Sequence, residues 1–159
     1  MNMPLSPLSP QNSESVHRAQ RQGKFDKRLF EILDQRPSES KTDALINLLR
    51  KGVSINAVDN RGWTPLHSAV YTKDVDIVKL LINNDNVDVN IVNNHGRTPL
   101  HLAALMGYAE ITKLLLDTGK VKTDIKDRDG MTPLDWAEFY NHAEAAYWIR
   151  KYVKENTSG

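Results

Sequence analysis

Two imidazoles and a carboxylate recur along this chain at a fixed interval: His67, His101 and Asp135 each stand 34 residues from the next. Histidine with an acid is the material of a zinc site or of a general base held in place by a carboxylate. The constant interval argues for a plainer origin. It puts each group at the same station of a recurring unit, so their shared chemistry is a coincidence of repeat position and not a triad or a ligand cluster. His95 and His142 have no metal-ligating partner of the right type at i+3 or i+4. No GxGxxG, GxxxxGK[ST] or HExxH motif occurs. Neither catalysis, nor a metal, nor a cofactor is expected.

The stations belong to a phrase written three times: GWTPLHSAV at 62–70, GRTPLHLAA at 96–104 and GMTPLDWAE at 130–138. Gly62, Gly96 and Gly130 stand where a tight turn would need positive φ, which a residue without Cβ tolerates. Thr64, Thr98 and Thr132 can cap a helix with their hydroxyls, and Pro65, Pro99 and Pro133 suit its first turn, where a missing N–H is no loss. Each phrase therefore predicts turn, cap and helix start. A second helix follows in DVDIVKLLI (74–82) and YAEITKLLL (108–116), with Ile77, Val78 and Leu81, and Ile111, Leu114 and Leu115, on one buried face. Polar, extended stretches then lead to the next glycine. No helix pair of this size buries its apolar face alone, so neighbours must stack.

TPLHSAV and TPLHLAA match the T-P-L-H-x-A signature closely, TPLDWAE less so, and LLRKGVSINAVDNRG is similar to an inter-repeat loop; on these residues the chain resembles the ankyrin repeat family over roughly 25–155. The resemblance implies an all-α solenoid of stacked helix-turn-helix units with hairpin-like loops. It also implies that His67 and His101 tie loop to helix backbone by hydrogen bonds, and that Asp135 accepts a backbone N–H in their place. The interval of 34 exceeds the family's 33. The extra residue is expected as a small bulge around 84–87 and again around 120–122.

The organisation follows. Residues 1–14, MNMPLSPLSPQNSE, combine prolines and serines with few apolar side chains and read as a disordered tail, in which Ser6 and Ser9 precede proline. Residues 15–24 are a possible helical extension. Residues 25–58 form an N-terminal capping helix pair and loop, with Phe25, Leu29, Ile32 and Leu33 inward; a rival alignment would use His17 and Gly23 as repeat stations instead. Full repeats occupy 59–92 and 93–126, a C-terminal capping repeat occupies 127–155 with Ala146, Ile149 and Val153 inward, and 156–159 is a flexible tail.

Composition limits the partner. The 21 basic and 20 acidic residues leave a net charge of +1, no general pull toward nucleic acid or an anionic membrane. No cysteine is present, which excludes disulfides and thiolate sites and suits a reducing compartment. The expected location is the cytoplasm, with the nucleus or delivery into a host cell left open. No signal segment and no run of about 18 apolar residues is seen.

Function then rests on the surface. Positions not needed by the phrase fall at loop tips and first-helix ends, which the resemblance assigns to a concave groove. They are Asn60, Arg61, Trp63, Tyr71 and Thr72; Asn94, His95, Arg97, Leu105 and Met106; and Arg128, Asp129, Met131, Phe139 and Tyr140. Aromatic, Met and Arg side chains of this kind are enriched in binding hot spots. The expected activity is protein–protein interaction by a monomeric adapter, scaffold or inhibitor with one protein partner. A regulatory subunit or a host-targeting effector would use the same surface. Nucleic-acid binding through Arg61, Arg97 and Arg128 is disfavoured because Asp59, Asp127 and Asp129 surround them.

Overall fold

The structure, a computed structural model, describes residues 26–157; the expected tail at 1–14, the extension at 15–24, His17, Gly23 and Phe25 lie outside the described residues. Helix α1 occupies 26–33. Then come α2 (Glu39–Arg50), α3 (Pro65–Tyr71), α4 (Val75–Ile82), α5 (Pro99–Met106), α6 (Ala109–Asp117), α7 (Pro133–Phe139) and α8 (Ala143–Thr157). No strand occurs among the described residues. The all-α solenoid is the architecture found. Within a unit α3 packs on α4, α5 on α6 and α7 on α8; between units α3 meets α5 and α5 meets α7, while α4 meets α6 and α6 meets α8. First helices thus form one layer and second helices another.

Local chemistry starts each unit as the phrase requires. Thr64, Thr98 and Thr132 are N-caps whose hydroxyls accept the backbone N–H of His67, His101 and Asp135, and those three side chains return the bond to the cap's own N–H. Gly62, Gly96 and Gly130 sit at φ 72°, 72° and 74°. The turn ahead of each cap is closed by one side chain: Oδ1 of Asp59, Asn93 and Asp127 accepts two backbone N–H groups, those of Arg61 and Trp63, of His95 and Arg97, and of Asp129 and Met131.

Apolar packing joins the units. Leu66, Ala69 and Val70 of α3, Leu100, Ala103 and Ala104 of α5, and Ala137 of α7 form one core with Ile77, Val78 and Leu81 of α4, Ile111 and Leu115 of α6, and Ala145, Ala146 and Ile149 of α8. Leu114, expected inside, is only half-buried, and Leu116 takes the buried place with Thr112. The apolar face of α6 is rotated because three consecutive leucines leave the inward choice to helix packing, not to pattern. At the N-terminal end Leu29 and Leu33 are buried with Phe30, while Ile32 is half-buried. Ala146 and Ile149 are buried and Val153 half-buried. Helix α8 continues to Thr157, so 156 and 157 are helical where a flexible tail was expected; Asn156 and Thr157 side chains bond back to the carbonyls of Tyr152 and Val153, prolonging the last turn.

Beyond α4 the chain makes a turn at 84–87, where the Val87 N–H donates to the Asn84 carbonyl at 3.1 Å and the Asn86 N–H to Asn84 Oδ1 at 3.0 Å. Asparagines clasp these loops across units. Asn56 donates to the Asn86 carbonyl at 2.8 Å and accepts the Asp88 N–H at 2.8 Å. Asn90 repeats this on the Lys120 carbonyl and the Lys122 N–H, each at 2.9 Å.

Candidate functional site

Loop tips come together along one side of the array because the caps and Asx turns place each unit's tip in the same way, and in the first unit Trp63 of the tip meets Tyr71 at the end of α3. Backbone bonds join the tips: the Asn94 N–H donates to the Arg61 carbonyl and the Arg128 N–H to the His95 carbonyl, each at 3.0 Å, and Asn94 Nδ2 donates to the Asn60 carbonyl at 3.0 Å. The tips are therefore one continuous rigid edge.

The histidines supply its inner fastening. Nδ1 of His67 faces the Thr64 N–H at 3.1 Å, so it accepts, which leaves Nε2–H to donate to the Arg97 carbonyl of the next unit at 2.8 Å. His101 does the same with Thr98 at 3.0 Å and the Met131 carbonyl at 3.1 Å. Both ring nitrogens of each are engaged, so neither ring has a lone pair to offer a metal or a substrate proton. Burial in the stack pushes the His67 pKa down from 6.5 to about 4, against the opposing bond to Arg97, and lowers that of His101 for the same reason.

Of the fifteen positions expected at the surface, Asn60, Arg61, Tyr71, Asn94, His95, Met106, Arg128, Asp129, Phe139 and Tyr140 are exposed, and Trp63, Thr72, Arg97, Leu105 and Met131 are half-buried. Their surroundings divide them. Phe139, with 65% of its surface exposed, stands edge-on to Tyr140 at 5.0 Å and to Trp136 at 5.9 Å. Trp136 in turn stacks on Tyr140 at 5.9 Å. Trp63 rests on the core with Tyr71 edge-on at 5.1 Å and the Arg61 guanidinium over its ring at 4.3 Å. Thr72 turns inward, its hydroxyl donating to the Ser68 carbonyl at 2.9 Å.

Arg97 is occupied within the protein. Its Nε meets Asp127 Oδ2 at 3.1 Å, a terminal nitrogen meets Asp129 at 3.1 Å, and the guanidinium lies over the Trp136 ring at 5.0 Å. Asp127 also accepts the Trp136 indole N–H at 2.7 Å. Burial would raise its pKa, but the bonds from Trp136, the Met131 N–H, Arg97 and the Asp129 N–H together hold it below the usual carboxylate range. Arg61 pairs with Asp59 at 2.7 Å. Two of the three loop-tip arginines thus have their charge answered locally.

Sequence reasoning did not find Trp136, which stands in the phrase at the place of Ser68 and Leu102 and was read as frame. Nor did it find the packing role of His142, whose Nε2–H donates to the Leu105 carbonyl at 3.0 Å and whose ring covers Gly107. Away from the tips, an open depression along α8 is lined by Tyr147, Arg150, Lys151, Lys154 and Glu155. Two of its cations stand against carboxylates, Arg150 to Glu138 at 2.6 Å and Lys151 to Glu155 at 3.9 Å.

Comparison with known proteins matches this architecture. A profile described as ankyrin repeats, in 3 copies, fits residues 38–127 and 86–158. Similar to this chain is human Ankyrin repeat and SOCS box protein 3, 44% identical over 48 residues, which are 30% of this chain and 9% of that protein. An ankyrin repeat-containing protein of Schizosaccharomyces pombe is 42% identical over 45 residues, 28% of this chain and 22% of that protein. The similarity therefore spans only a small part of each relative's length.

Proposed function

The chain belongs to the ankyrin repeat family, whose repeats are generally protein–protein interaction modules, and from that premise we propose that it is a non-enzymatic adapter, scaffold or inhibitor. On this reading a monomer holds one protein partner along the edge formed by its loop tips and first-helix ends. The observation that carries the reading is the exposure of Tyr71, Met106, Phe139 and Tyr140, large apolar side chains at the ends of α3, α5 and α7, on a backbone fixed by inter-unit bonds. A rigid support lowers the entropy lost on association, and apolar anchors on it supply the contact area. No helix among the described residues is long and apolar enough to cross a membrane. The pairing of Arg61 with Asp59 and of Arg97 with Asp127 and Asp129 disfavours nucleic acid.

The test uses the side chains that are free to leave. Replacing Tyr71, Met106 and Phe139 together by alanine should abolish partner capture while thermal stability changes little, since exposed truncations cost about 0.5 kcal/mol or less each in folding and hot-spot truncations about 2 kcal/mol or more in binding. Lys79→Ala with Lys113→Ala, exposed on the second helices, is the control and should leave capture intact. Capture lost in the lysine pair and kept in the triple variant would move the site to the outer layer.

A further inference from the structure

Tyr71 and Phe139 occupy one repeat station, and Met106 and Tyr140 the next along the chain, so each unit ends its first helix in at least one exposed apolar side chain. Helices α3, α5 and α7 pack side by side, and packed helices lie about 8–10 Å apart. The helix ends that carry these groups therefore advance by about 8–10 Å per unit, with the Trp63 ring against Tyr71 and the Trp136 ring against Tyr140.

A ligand matching such a track must present an apolar group on one face at that pitch. A β-strand repeats a face about every 6.6 Å and misses it. A polyproline II segment repeats a face every third residue, about every 9.3 Å, and fits it. Outside the described residues the sequence at 4–10 reads PLSPLSP, two overlapping Pro-x-x-Pro stretches in which Leu5 and Leu8 are three apart. Aromatic-lined grooves are the usual receptors of Pro-x-x-Pro segments, because that conformation costs little entropy to fix.

We propose that residues 4–10 of this chain dock in cis along the Tyr71–Met106–Tyr140 track, so that a partner must displace them; the proposal rests on that edge being the binding face. Residues 11–25 join the segment to α1, and 15 residues at about 3.3 Å each reach about 50 Å. Three packed units span only about 30 Å.

The test is fluorescence anisotropy with a labelled peptide of sequence MPLSPLSPQ, titrated with the full chain and with its Leu5→Ser/Leu8→Ser variant. The variant should bind about tenfold more tightly than the full chain, as expected when a peptide Kd near 0.1 mM competes with a tethered copy at an effective concentration on the order of 1 mM. Adding Met106→Asp to the variant should remove binding with the helical circular dichroism unchanged, and adding Tyr140→Asp should do the same. Equal affinity in the two chains, or binding by neither, overturns the proposal. A difference that fades as the chain is diluted also overturns it, since it would come from the tail of a second copy. The reading of the edge as a partner surface is judged separately, by capture with the Tyr71, Met106 and Phe139 variant: if capture depends on those residues and the peptide does not bind, only the self-docking fails.

Discussion

The Nε2–H of His67 donates to the carbonyl of Arg97 at 2.8 Å, so a side chain of one repeat holds the backbone of the next. The third repeat keeps the cap without the reach: Asp135 accepts the Thr132 N–H at 2.9 Å and extends nothing forward. His67→Ala should therefore cost about 2–4 kcal/mol, because it leaves two buried backbone groups unpaired. Asp135→Ala should cost about 1 kcal/mol, the value of one cap bond. Urea unfolding of the two variants checks the order, and equal losses would mean the forward bond contributes nothing.

Acid should weaken the array through the same ring. The folded-state pKa of His67 is about 4 against 6.5 for the free side chain, so the unfolded chain takes the proton first. The stability from the neutral ring is complete above pH 6.5 and is lost as pH falls through 6.5 to about 4. At about 1.4 kcal/mol per pKa unit the loss approaches about 3 kcal/mol. His101, shifted the same way, adds to it. Urea midpoints should be flat from about pH 8 to 7 and then fall, and His67→Gln should flatten the slope. A midpoint constant down to about pH 4.5 would refute this.

Glycines 96 and 130 separate backbone strain from crowding between repeats. Both hold positive φ, but a Cβ on Gly96 would come within 3.2 Å of the Arg128 nitrogen and the Asp127 Cα, while one on Gly130 meets nothing within 4 Å. Gly130→Ala should cost about 1 kcal/mol from the left-handed conformation alone. Gly96→Ala should cost more, about 2–3 kcal/mol, and Gly96→Val more again, since two backbones must part. Equal midpoints for the two alanine variants would show that the loop edge yields freely.

Lys41 is 1% exposed, with its ammonium 3.0 Å from Asp74 Oδ2 and donating to the carbonyls of Leu33 and Gln35 at 2.9 and 2.8 Å. It pins the first helix pair to the cap of α4. Lys41→Met should cost about 3–5 kcal/mol by stranding the Asp74 carboxylate, and adding Asp74→Asn should recover part of that loss. A double-mutant cycle by denaturant unfolding measures the coupling; additive losses would show the pair to be independent.

The frame was legible because its instructions are local. Glycine, threonine, proline and histidine act within three or four residues of one another, and the period multiplies the signal. What the pattern hid depends on long-range pairing. Lys41 reads as a solvent-facing charge until Asp74, 33 residues on, is beside it. Arg97 reads as a groove residue until both Asp127 and Asp129, 30 and 32 residues on, and the Trp136 ring are seen to engage its one guanidinium. Trp136 was hidden differently, since a side chain inside a recurring phrase is taken for scaffold even where the other copies carry a different residue.

The forward reach of 30 residues, shared by His67 and His101, makes 93–126 an insertion cassette. A tandem second copy placed between 126 and 127 would meet the first copy with His101 aimed at a carbonyl of the kind it already holds. Two junction contacts need editing: Asp124 stands at the station of the clasping Asn56 and Asn90, so the upstream copy would carry Asp124→Asn to regain the donor, and the downstream copy would carry Asn93→Asp and His95→Asp to answer the upstream Arg97 as Asp127 and Asp129 do. The first repeat does not duplicate in this way, because its Asp74 answers a single Lys41. A unit appended after α8 would lack this fastening, since Asp135 has no ring to extend across the new junction. The forward bond is therefore kept when the array is lengthened from its middle.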